Sequence, residues 1–114
     1  MQWDGTIMTE TVWISYDLGV RGDYEGLFEF LASADAKECG SNLGVIVFPV
    51  QTDLIKELKA AIKDHMKIDK RSRIYVMFKK SDGKLTGSFI FGNRKSPPWA
   101  GYATLGVSEE DVSE

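Results

Sequence analysis

Few side chains in this chain have the type and spacing that chemistry needs, and Asp17 is the first of them. It ends the run TVWISYD, residues 11–17, in which β-branched and aromatic residues lead up to one carboxylate. Open α/β layouts gather ligands beyond the carboxyl ends of their strands. A carboxylate there suits Mg²⁺ or Mn²⁺, hard cations that take oxygen ligands and keep several waters. One carboxylate is too few, so a cation at Asp17 needs a second copy of the chain across a two-fold axis. Ser15 and Asp23 are the nearby groups that would orient such a site. The plainer reading is local: Asp17 accepts from the amides of the loop at 18–22, as an Asx turn.

Anion chemistry has its own candidates. Residues 56–80 hold nine Lys/Arg against three Asp/Glu, whereas residues 1–30 hold one Arg against six acids. Lys67, Lys70, Arg71 and Arg73, with Arg21 in the loop after Asp17, are the cations placed to meet nucleic-acid phosphate. The plainer reading is a solvated basic face. A net charge of −3 weighs against a dedicated nucleic-acid binder. His65 stands alone, without the ligand spacing of a metal site. Cys39 has no paired base and reads as an indifferent thiol. The segment LGVRG lacks the glycine spacing of a phosphate or dinucleotide loop.

These groups must be held by elements that the pattern specifies. Val12, Ile14 and Tyr16 alternate with Trp13, Ser15 and Asp17, a strand covered on both sides. After Gly19 and Gly22, Asp23 is a helix N-cap, and Tyr24, Leu27, Phe28 and Leu31 form one stripe of a helix ending near Ala34. Residues 36–40 are a short strand and 43–49 an apolar one, stopped by Pro49. Thr52 caps a second helix whose buried stripe is Ile55, Leu58, Ile62 and Met66. Strands at 73–80 and 85–91 flank Asp82-Gly83, a strong hairpin signal. A two-residue turn there pairs Ile74 with Phe91, Val76 with Phe89 and Phe78 with Gly87.

The order is βαββαβ plus one strand, the split βαβ or ferredoxin-like plan: an α+β fold with a five-stranded antiparallel sheet. Right-handed crossovers put both helices on one face and leave the other open. An open face bearing Trp13 or Tyr75 calls for a cover, and the expected cover is a second copy, making a homodimer. By region, 1–10 is a loose arm, 11–91 the domain and 92–114 an irregular tail. Pro97-Pro98 keeps the tail out of regular structure, while Trp99 and Tyr102 require 92–103 to dock. Residues 107–114 read as mobile. A length of 114 residues, 43% apolar and 27% charged, suits one globular domain. With no signal-type leader, no membrane-length apolar run and a single cysteine, the expected setting is cytoplasmic.

The segments VWISYD and DYEGLFEFL, with this element order, resemble the CRISPR-associated ferredoxin-like small nuclease superfamily. That superfamily includes virulence-associated protein D toxins and SinR-like proteins. The similarity covers roughly residues 11–80 and rests on the aspartate that ends strand one. In the nuclease family that aspartate is a metal ligand at the dimer seam and the dimer binds nucleic acid; carried over, the resemblance implies Asp17 as a metal ligand, for which Mg²⁺ is the candidate ion. Here the Asp82-Gly83 turn returns the last strand to its own chain, whereas the family often lends it to the partner. VWISYDL also resembles the strand-one motif of RNA-recognition domains, but LGVIVFP stands where their companion motif would be. Two functions follow: a non-catalytic dimeric interaction module, or a metal-dependent nuclease using Asp17.

Overall fold

The computed structural model describes residues 8–103. Its elements are β1 (Met8–Asp17), α1 (Tyr24–Ser33), β2 (Lys37–Gly40), β3 (Leu43–Val50), α2 (Leu54–Lys63), β4 (Arg73–Lys79) and β5 (Leu85–Phe91). The strands form one antiparallel sheet in the order β2-β3-β1-β4-β5, so the expected α+β plan with its added strand is the observed one. No helix among the described residues is long and apolar enough to cross a membrane.

One face of the sheet carries the core. Val12, Ile14, Tyr16, Ile46, Ile74, Val76, Ile90 and Phe91 pack with Leu27 and Phe30 of α1 and with Leu58 and Ile62 of α2. Both helices therefore lie on the same face. The other face presents Trp13, Ser15, Val45, Val47, Tyr75, Met77 and Phe89; Val47 is 60% exposed and Phe89 41%.

β1 begins at Met8, three residues inside the expected arm, because Met8, Thr9 and Glu10 pair with Val50, Pro49 and Phe48. Pro49 does not stop β3. By that point β2 has ended, and a missing N–H on a free edge costs no ladder bond. The α1 stripe is also rotated. Phe30 is buried in place of Phe28, which is 49% exposed and packs edge-on against Tyr16. The cause is Gly26: a Cβ there would meet the His65 carbonyl oxygen at 2.5 Å and Met66 Cβ at 2.6 Å. Its bare backbone lets the end of α2 come in and sets which side of α1 faces inward.

The hairpin register differs from the expectation by one residue. Lys80 N–H bonds the Lys84 carbonyl at 2.8 Å and Gly83 N–H the Lys80 carbonyl at 2.8 Å, with Gly83 at φ +87°. The loop is thus Ser81-Asp82-Gly83, three residues closed by a left-handed glycine. It pairs Tyr75 with Phe89, Met77 with Gly87 and Phe78 with Thr86. Only Ile74–Phe91 survives from the expected set, because a bulge at Ile90 restores the offset. That bulge lets consecutive Ile90 and Phe91 both enter the core. An aromatic ring does cover the strand glycine, but it is Tyr75, and it lies on the open face.

Candidate functional site

Asp17 and Arg73 are cross-strand partners at the end of β1 and the start of β4. Asp17 Oδ1 accepts from Gly19 N–H at 3.2 Å, the Asx-type contact. Its Oδ2 accepts from Arg73 Nη2 at 3.1 Å and lies 3.6 Å from Arg94 Nη2. The Gly19 amide first, and then Arg73, hold the Asp17 carboxyl below its ordinary range. Arg94 arrives because Gly92, at φ +66°, turns the chain sharply out of β5 against the Ser72 carbonyl, where a Cβ would clash. Only glycine fits this turn, and it sends the tail back over the open face. Residues 97–102 then wind into short turns, with Ala100 N–H on the Pro97 carbonyl and Tyr102 N–H on the Trp99 carbonyl.

The result is a hollow of about 520 Å³ between tail and sheet. Ser15, Asp17, Arg73, Tyr75 and Phe89 make its floor, and Arg94 to Trp99 make its wall. Tyr75 and Phe89 meet edge to face, with ring centroids 5.0 Å apart. Arg73 and Arg94 pair with the Asp17 carboxylate, and Lys95 lines the same hollow, so among the described lining residues cations outnumber carboxylates three to one.

A divalent cation does not fit Asp17 within one chain. Both oxygens are engaged, and two guanidinium groups stand where further oxygen ligands would have to be. Among the described residues no three His, Cys, Asp or Glu side chains come together as a ligand set. Ser15 does lie in the same hollow as Asp17. Asp23 lies elsewhere: it caps α1 through Gly26 N–H at 2.9 Å and accepts from Lys67 N–H at 2.8 Å. Those two amides, Lys67 first, lower its pKa.

The five cations read from the sequence divide. Arg21, Lys70 and Arg71 line one shallow hollow with Asp69. Arg73 belongs to the Asp17 hollow, and the Lys67 backbone is tied to Asp23. His65 Nδ1 lies 3.1 Å from the Ala61 carbonyl, and its ring packs edge-on against Phe30. Cys39 is exposed. Arg94, Lys95 and Trp99 are site residues that sequence reasoning missed. The adjacent basic pair in GNRKSPPW was the available signal, but the tail has no period that says where it lands.

In comparisons with known proteins, the chain matches no family model, no curated protein and no solved structure.

Proposed function

We propose that this protein is a non-catalytic, homodimeric interaction module whose open sheet face is the seam between two copies. The observation that carries this reading is the face itself. Trp13, Val45, Val47 and Met77 stand together on β1, β3 and β4, on the side that the helices leave bare. Among the described residues the tail shelters the end near Asp17 and leaves the β1–β3 half for a partner. An isologous interface covers the same patch on both subunits, which suits a face whose centre, at Trp13, Val45, Val47 and Met77, carries no charge. Asp17 speaks against a catalytic role in one chain, since its charge is already met by two arginines.

Analytical ultracentrifugation tests the seam. The wild-type chain sediments as a dimer at micromolar concentration, while Val47→Lys, at an exposed position, sediments as a monomer with an unchanged circular dichroism spectrum. A wild-type monomer at tens of micromolar would remove this reading.

A further inference from the structure

We propose that the hollow between the tail and the sheet binds a nucleotide, with its base against Trp99 and the Tyr75–Phe89 pair and its phosphate on Arg94 and Lys95. The inference is independent of the dimer seam, because none of its residues is among Trp13, Val45, Val47 and Met77. Three features of the hollow select the ligand class. Its volume, about 520 Å³, is large enough to admit a nucleotide, and unlike the hollow at Arg21 and Arg71 it is lined by aromatic rings as well as cations. Its described lining is positive: Arg73, Arg94 and Lys95 against the single carboxylate of Asp17, with Lys95 making no ion pair among the described residues. Asp17 contacts only one terminal nitrogen of each arginine, so donors on both guanidinium groups remain for a second anion. Planar arginine forks match phosphate oxygens in pairs.

The apolar part is aromatic rather than aliphatic. Trp99 is 71% exposed beside Pro97 and Pro98, and Phe89 and Tyr75 form the facing floor. An indole held open to solvent next to a cationic pair is a stacking surface for a flat ring that carries an anion. A nucleotide joins those two parts in one molecule. It can be free or the end of a single strand, and both present the same phosphate and base.

Isothermal titration calorimetry on the full chain tests this with AMP, GMP, CMP and UMP, with adenosine, with ribose phosphate, and with a short RNA carrying a terminal phosphate. At least one nucleotide binds, and adenosine and ribose phosphate bind roughly tenfold more weakly or worse. Trp99→Leu lowers nucleotide affinity by roughly tenfold, and Trp99→Phe restores most of it. The double variant Arg94→Gln, Lys95→Gln also loses about tenfold and flattens the fall of affinity with salt. RNA binding tighter than the mononucleotide identifies a strand end as the ligand; equal or weaker binding identifies the free nucleotide. All three substituted positions are exposed, and circular dichroism checks that the variants fold. The monomeric Val47→Lys chain binds nucleotide as the wild type does, which keeps this result separate from the seam. No nucleotide binding at millimolar ligand would overturn the assignment. So would ribose phosphate binding as well as the nucleotide, or variants indistinguishable from the wild type.

Discussion

Glu57 gathers the loose amides ahead of α2. Its Oε1 accepts from Gln51 N–H at 2.8 Å, and its Oε2 accepts from Thr52 N–H at 2.7 Å and Asp53 N–H at 2.9 Å. Asp53, not Thr52, is the N-cap, accepting from Lys56 N–H at 3.2 Å, while the Thr52 hydroxyl donates to Glu57. A carboxylate is the stronger acceptor, so the hydroxyl takes the donor role. The amides, Asp53 first, pull the Glu57 pKa from 4.5 down to about 2. A depressed folded-state pKa stabilises above the unfolded value and loses that benefit as pH falls. The Glu57 contribution is therefore full above 4.5 and fades toward about 2. Asp17 and Asp23 fade with it, so the informative quantity is a difference. Urea melts of wild type and Glu57→Gln should differ most at neutral pH and converge in strong acid. A constant difference across that window would show that the carboxylate charge is not what holds the three amides.

At the scale of elements, two features decide how α1 and α2 meet. Asp23 ties the start of α1 to Lys67 beyond the end of α2, across 44 residues of chain. Gly26 supplies the room for that approach. Alanine is a better helix former than glycine, yet Gly26→Ala should lower stability by about 1–3 kcal/mol, because its Cβ would press on backbone that cannot swing aside. Chemical denaturation measures this, and a stabilised variant would mean that the helices can separate freely. The Phe28-for-Phe30 difference belongs to the same contact. Helical periodicity gives a stripe with an uncertainty of a few tens of degrees, and Gly26 fixes where within that range the helix settles.

For the whole molecule, the two faces of the sheet have different fates. One is sealed by α1 and α2; among the described residues the other is covered at one end by the tail and bare at the other. If two copies close over the bare part, folding and association are coupled. The wild-type melting temperature should then rise with protein concentration while that of Val47→Lys stays constant. Scanning calorimetry over a hundredfold dilution decides this, and a concentration-independent wild type would contradict the coupled assembly.

The sequence by itself determined the element order, the two helices, the strand limits to within a few residues and the placement of Asp17 at a strand end, because alternation, caps and turn residues are local signals. It did not determine the hairpin register: Asp82-Gly83 suits loops of two or three residues, and the core chose by demanding both Ile90 and Phe91. It pointed to Arg73 but not to its bond with Asp17, which depends on β1 and β4 lying side by side. Only the tertiary structure brought Arg94, Lys95 and Trp99 over the sheet. That juxtaposition follows from a glycine turn against Ser72 and from one carboxylate 77 residues away in the chain, where no local pattern reaches.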